Sequence, residues 1–314
     1  MKYSFVVPIY NDGELADDFC IAYQQVFQVY LNRETIEEEV ELIFVNDGSK
    51  NNSLQFLEAA AAKYKFVKAI ELSRNFGQHI ALSCGYEHAT GEYVGMLNVD
   101  MEDPPSEIPK LLEHMRQNDL DLVVGTRPHR ESSLFIKLTS FLFNAFLNKL
   151  TGYEIPTNAA TLRVMSRRFI NAYNSLNEKS RYIPGLEMWL GFKHGYVNIE
   201  HHKRTRGTSS YNFKRRMMMA IESILSFSDL PLKLIVIFGI AVALLGFLMN
   251  FVLILVNVFG LKMQHGFTST ISTIIFLGGV QILVIGAASL YIGRILKEVQ
   301  NRPLYIIRNK FNFE

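Results

Sequence analysis

The sequence predicts an α/β protein, built on a mostly parallel sheet with helices on both faces and followed by two helices that cross a membrane. Three observations carry this. Over residues 1–212, short apolar runs that end in turn chemistry alternate with helix-length stretches, the pattern of successive βαβ units. Residues 234–256 and 270–293 hold no charged side chain, and each run is long enough at 1.5 Å rise per residue to cross a hydrocarbon core of roughly 30 Å. Polar residues gather where the apolar runs stop, and in a parallel sheet ligands bind beyond the carboxyl ends of the strands.

In chain order, YSFVVPIY, VELIFVNDGS, VKAIELS, EYVGMLNVD and LDLVVGTR read as buried strands. Their ends bring Pro8 to Asn11, Asn46 to Ser49, Arg74 to Gly77, Asn98 to Asp103 and Arg127 to one edge. NVDMEDPP, residues 98–105, packs three acids and an asparagine beside a proline pair. Such a cluster repels itself unless it meets a cation. A divalent metal held by Asn98, Asp100 and Glu102 is therefore the functional expectation, and a solvated turn before a helix is the plain one. Magnesium or manganese suits that oxygen-only donor set.

After the fifth strand, residues 132–150 form an apolar stretch in which Lys137, Ser140, Asn144 and Asn148 fall on one helical stripe. It reads as a helix in the membrane interface, with an ordinary core helix as the alternative. Residues 213–232 repeat that design, basic at one end, and anionic headgroups are the expected partner. The spans follow within residues 233–293, and residues 294–314 form a tail. Lys214, Arg215, Arg216 and Lys233 precede the first span and Arg294, Lys297, Arg302, Arg308 and Lys310 follow the second, while the connecting loop carries only Lys262. The expectation is a multi-pass protein with residues 1–212 and both termini cytoplasmic. The opening apolar run is too short for a secretory signal.

Composition narrows the classes. A net charge of +2 and no basic stripe interleaved with aromatics argue against a nucleic-acid partner. Cys20 and Cys84 suit a reducing compartment and imply neither a disulfide framework nor a zinc site. His201 and His202 are adjacent, so on a strand they face opposite sides and cannot share a metal. Ser289 with Gly293, and Gly239 with Ala243, are spaced for close helix packing within one chain or in a homo-oligomer.

VVPIYND, VELIFVNDGSKNNS, LSRNFGQHIALSCGYEHATGEYVGMLNVDMEDPP and RTRGTSSYNF, in this order, resemble the family 2 glycosyltransferases. With two C-terminal spans the chain is similar to the polyprenyl-phosphate branch, which includes dolichyl-phosphate mannose synthase and the bactoprenol glucosyltransferases. The resemblance implies a Rossmann-like GT-A fold, a nucleotide-sugar donor with a UDP-hexose foremost, and undecaprenyl or another polyprenyl phosphate as acceptor. It also implies inversion at the anomeric carbon and a bacterial inner-membrane location serving cell-envelope glycosylation. By motif, Pro8, Tyr10, Asn11 and Asp47 would hold the nucleoside, and Arg74 and Asn75 would assist. Asn98, Asp100 and Ser209 would lie along the donor, with Mg2+ or Mn2+ on Asp100. Arg204 would close over the diphosphate from a loop hinged at Gly207.

The chemistry stands without the family. Cleaving a sugar–diphosphate bond builds negative charge on the leaving nucleotide, which a divalent cation and an arginine stabilise. A phosphate acceptor is largely ionised near pH 7 and needs little help from a base. That matters because many relatives carry an acid where this chain has Thr161, which leaves either no base, the favoured reading, or Asp103 in the part. Arg127, Arg130, Lys137 and Ser140 are the expected acceptor-phosphate residues, and Asp100, Asp103, Arg127 and Arg204 the expected catalytic ones. A processive polysaccharide synthase and a non-catalytic membrane scaffold are the rival readings. The first would be expected to carry a QxxRW motif, and the only tryptophan is Trp189.

Overall fold

The computed structural model describes residues 1–127, 158–179, 181–202, 230–258 and 266–313. The chain forms two compact units, residues 1–217 with 303–314, and residues 218–302.

The first unit is built on strands β1 (Tyr3–Ile9), β2 (Val40–Asn46), β3 (Val67–Leu72), β4 (Tyr93–Met96), β5 (Leu122–Thr126), β6 (Ala159–Ser166), β7 (His194–Asn198) and β8 (Ile307–Phe311). Between them run helices α1 (Ala16–Leu31), α2 (Ser53–Lys63), α3 (Gln78–His88), α4 (Ile108–Gln117), α5 (Arg167–Asn174) and α6 (Ile183–Trp189). The strands form one sheet in the order β7-β5-β6-β4-β1-β2-β3-β8. β4, β1, β2 and β3 run parallel, as β5 and β7 do, while β6 is antiparallel to both its neighbours and β8 is antiparallel to β3. This is the mostly parallel GT-A type of α/β fold.

All five strands read from the sequence form, and they form because their residues are buried on both faces. Every residue of β2 is buried, as expected of a strand inside a helix-covered sheet. Its one charge, Glu41, lies in the interior with Lys68 Nζ at 2.8 Å and with the Ser4 and Thr90 hydroxyls as donors. Burial raises its pKa, but those donors outweigh burial and hold the carboxyl below its ordinary value. Phe5, Tyr23, Phe27 and Tyr3 make an aromatic seam between the sheet and α1, with Tyr23 and Phe27 ring centroids 4.8 Å apart.

Three strands depart from the sequence reading. β6 inserts between β4 and β5, with Tyr93 opposite Ser166 and Leu122 opposite Met165. Its start therefore joins the edge where the parallel strands end. β7 extends the sheet beyond β5. The expected tail is corrected too: residues 307–311 are strand β8 and close the other side of the sheet.

The second unit holds α7 (Leu230–Val258) and α8 (Gly266–Val299), over the two runs expected to span. Among the described residues one helical stretch, Phe276–Val299, is long and apolar enough to cross a membrane, and Leu234–Met249 is a shorter apolar piece. The expected interfacial helix at 132–150 lies outside the described residues, as do residues 213–229 of the second.

Candidate functional site at the carboxyl edge of the sheet

Two corners of one edge hold those residues singled out by sequence that lie among the described ones. The first lies beyond β2 and β3. Asp47 follows β2, only 3% exposed, and its two carboxylate oxygens accept the backbone N–H of Phe76 at 2.7 Å and of Gly77 at 2.9 Å. Its pKa is raised by burial, against the lowering effect of those two amides and of Arg74. The nucleoside contact that the resemblance implies for Asp47 would have to share a carboxylate already used to hold loop 73–77. Gly48 makes that proximity possible. Its φ is +62°, and a Cβ there would lie 2.3 Å from the Arg74 carbonyl carbon and 2.5 Å from Asn75 N. Only a glycine lets the two backbones meet at that distance.

Around this corner the exposed side chains are Tyr10, Asn11, Arg74 and Asn75, with Pro8 half-buried on β1. Asn11 sits at φ 65°. Its amide donates to Ser49 Oγ at 3.0 Å and its side-chain oxygen accepts from Lys50 N at 2.9 Å, which ties the ends of β1 and β2 together. The Arg74 guanidinium lies 4.2 Å from the Phe76 ring centroid. The corner thus presents an aromatic, amides and a cation around a buried carboxylate.

The second corner lies beyond β4, β5 and β6. Asp100 is 8% exposed and accepts the Glu102 amide on Oδ1 at 3.2 Å, a turn that Met101 permits by taking φ 54°. Asp103 differs from expectation. Arg127 grips it with both arms, Nε to Oδ1 and Nη2 to Oδ2 at 2.9 Å each. Oδ2 also accepts the Thr161 amide at 2.8 Å, and His201 Nδ1 stands 3.6 Å from Oδ1. Both of its oxygens are therefore already engaged within the fold. Asp103 joins three strand ends, and Arg127, expected on the acceptor phosphate, is its partner. The remaining Arg127 nitrogen, Nη1, faces Glu102 Oε2 at 3.6 Å.

Asn98 is likewise engaged. Its oxygen accepts from Gln78 Nε2 at 3.3 Å and its nitrogen donates to Thr161 Oγ1 at 3.2 Å. Gln78, at the start of α3, carries no signal in the sequence, because its contact lies on another element. Glu102 is held elsewhere as well: its carbonyl accepts His202 N at 2.9 Å and His201 Nδ1 at 3.1 Å. The adjacent histidines therefore contribute loop structure. Behind this corner Arg163 and Glu187, both buried, pair at 2.6 Å. His79 next to them is held neutral by burial and by the Arg163 charge, its pKa lowered to about 4.

The donor set fits a divalent cation in a restricted way. Among the described residues, no three His, Cys, Asp or Glu side chains group as a metal site, and Asn98 and Glu102 face Gln78 and Arg127. Asp100 contributes one carboxylate to this corner, an oxygen donor of the kind magnesium and manganese take together with diphosphate oxygens and water. Arg204 and Ser209, with the acceptor residues Arg130, Lys137 and Ser140, lie outside the described residues.

Residues 4–173 match the family described as Glycosyl transferase family 2. The chain is 36% identical over 310 residues to the SfII prophage-derived bactoprenol glucosyl transferase of Shigella flexneri, covering 98% of each. It is 32% identical over 315 residues to the uncharacterized glycosyltransferase YkcC of Bacillus subtilis, covering all of this chain and 95% of that one. Among solved structures, glucosyl-3-phosphoglycerate synthase of Mycobacterium tuberculosis, in complex with Mn2+ and uridine-diphosphate-glucose, is 16% identical with a TM-score of 0.47 over 73% of this chain and 79% of its own.

Proposed function

Because the chain belongs to glycosyl transferase family 2 and is a glycosyltransferase, we propose that it moves one sugar from a nucleotide sugar, a UDP-hexose first among candidates, to a polyprenyl phosphate such as undecaprenyl phosphate. The observation that carries this is the full-length likeness to a bactoprenol glucosyl transferase, which extends through both C-terminal helices.

Loop 73–77 with Tyr10, Asn11 and Asp47 would take the nucleoside, and Asp100 would face the diphosphate. Asp100 would hold the Mg2+ or Mn2+, which when bound neutralises charge on the leaving diphosphate. A phosphate oxygen of the acceptor attacks the anomeric carbon from the face opposite the nucleotide. The bond from that carbon to the diphosphate oxygen breaks, the nucleoside diphosphate leaves with the electron pair, and the configuration inverts. A ready-made oxyanion needs no base, which agrees with Thr161 at the place of an acid and with Asp103 committed to Arg127.

Chain connectivity supports a membrane hairpin. The first unit holds the chain before α7 and again after α8, and a folded domain lies on one side of a bilayer. An even number of crossings satisfies that condition, with residues 259–265 on the far side and the basic flanks in the cytoplasm. The acceptor then reaches the site from the inner leaflet of a bacterial plasma membrane.

The test is a screen of UDP- and GDP-sugars against undecaprenyl phosphate, with purified full-length protein in nanodiscs and mass spectrometry of the lipid. One hexose per lipid phosphate is expected. Lipid-bound polymer, or no labelled lipid with any donor, would refute the reading.

A further inference from the structure

Residues 303–313 return to the first unit after the helical pair, and they touch each part of the β3–loop–α3 segment. Against β3, Ala69 pairs with Phe311 and Leu72 with Ile307, and a register shift falls between Glu71 and Leu72. Glu71, 6% exposed, receives Arg308 Nη1 at 3.1 Å and Asn309 Nδ2 at 2.7 Å. Against α3, the Tyr305 hydroxyl donates to Glu87, and the Phe313 ring meets His88 edge-on at 5.8 Å. Between them the segment holds the first loop residue on both backbone groups: Ser73 N donates to the Ile306 carbonyl at 2.8 Å, and Ser73 O accepts Arg308 Nη2 at 2.9 Å.

Loop 73–77 is thus gripped from two sides. From one side the Asp47 carboxylate takes the Phe76 and Gly77 amides, with Gly48 beneath Arg74 and Asn75. From the other, the Arg308 guanidinium bridges the buried Glu71 carboxylate and the Ser73 carbonyl. Arg308 is itself mostly exposed, with its side chain 59% accessible, so burial gains little from it. What its fork secures is the point where the chain leaves β3 for the loop.

We infer that residues 303–313 act as a positioning strap for the donor-binding loop, with Arg308 as its positioning residue. The strap holds Arg74 to Gly77 in the conformation that receives the nucleotide, so donor affinity depends on a residue outside the loop. A loop held in its bound conformation loses less entropy when ligand arrives. The inference rests on the assignment of that loop to the nucleotide.

The test uses the full chain in nanodiscs, with UDP and GDP titrated in the presence of MnCl2 and backbone hydrogen exchange followed by mass spectrometry. Arg308→Ala is expected to weaken nucleotide binding about tenfold and raise donor KM to match, with kcat within about twofold, as expected when only binding is perturbed. Exchange at Phe76 and Gly77 should quicken while the β1 and β2 amides stay protected. Arg308→Lys keeps a charge for Glu71 but lacks the second arm for Ser73, so it should recover part of the loss; it also serves if the alanine variant does not fold. Unchanged affinity and exchange in Arg308→Ala, with affinity lost in Arg74→Ala or Asp47→Asn, would overturn the strap and leave the nucleotide site standing. Exchange raised evenly over the whole sheet would also overturn it, reducing β8 to a stabilising edge strand. If neither Arg74→Ala nor Asp47→Asn affects the nucleotide, the assignment of the loop fails and the strap with it.

Discussion

Substituting Asp103 by asparagine separates a structural carboxylate from a catalytic one. The side chain is 2% exposed and its Arg127 partner 28%, and the pair is bidentate at 2.9 Å on both arms. The carboxamide oxygen of the variant would still accept the Thr161 amide, while its new NH2 would face Arg127 Nε, donor against donor, so the change removes the charge and one arm of the pair together. Breaking a buried pair by removing one partner costs about 3–5 kcal/mol. Arg127 keeps some solvent, which argues for the lower end, about 3 kcal/mol. For a catalytic unit of this size that corresponds to a fall of about 6–12 °C in unfolding midpoint. Adding Arg127→Met removes the orphaned cation and should recover about 1–2 kcal/mol, a coupling read from a double-mutant cycle. The assay is thermal unfolding in detergent, with turnover normalised to folded protein. Turnover lost by more than about a hundredfold at an unchanged midpoint, with no coupling to Arg127, would show Asp103 to be the base. Arg127→Ala that leaves the midpoint alone and raises only the KM for lipid phosphate would restore Arg127 to the acceptor.

Three more predictions follow from the same edge. Gly48→Ala forces a side chain into a left-handed backbone and against the Arg74–Asn75 peptide, so nucleotide affinity should fall at least about tenfold by calorimetry; an unchanged constant would show that the loop does not depend on that contact. Asp100→Asn should raise the half-saturating Mn2+ concentration by more than about tenfold, and cut turnover at fixed Mn2+, if Asp100 holds the cation; equal metal dependence in both proteins would remove Asp100 from that role. His79 is neutral in the fold, its pKa lowered from 6.5 to about 4, so below pH 6.5 the unfolded chain takes up the proton first. Stability is full above pH 6.5 and falls by about 3 kcal/mol as pH drops to 4, and His79→Gln should flatten that stretch of the curve in denaturant titrations.

The first five strands and the polar ends that follow them were legible because they are local: a fully buried strand writes itself as an uninterrupted apolar run, and turn residues mark its end. The same holds for the apolar helices after residue 230, whose period and lack of charge need no partner to be recognised. Asp47 and Asp100 could be placed at the edge for the same reason. β6, β7 and β8 were missed because their assignment depends on what they pair with. IRNKF, residues 307–311, alternates without a strong apolar face, and only the open side of β3 makes it a strand.

The chemistry of the site divides in the same way. Sequence lists the ionisable groups, but burial and partners set what each can do, and those partners come from distant parts of the chain. Asp103 reads as an acid in a cluster of acids until β5 and β6 bring Arg127 and the Thr161 amide to it from 24 and 58 residues away. Asn98 reads as a metal ligand in an acidic cluster, and only the fold shows α3 laying Gln78 on its oxygen. Sequence thus determined which residues reach the edge, since that depends on local periodicity. Only the tertiary structure decided which of them are already occupied, because hydrogen bonds and charge pairs form between groups close in space, whatever their separation along the chain.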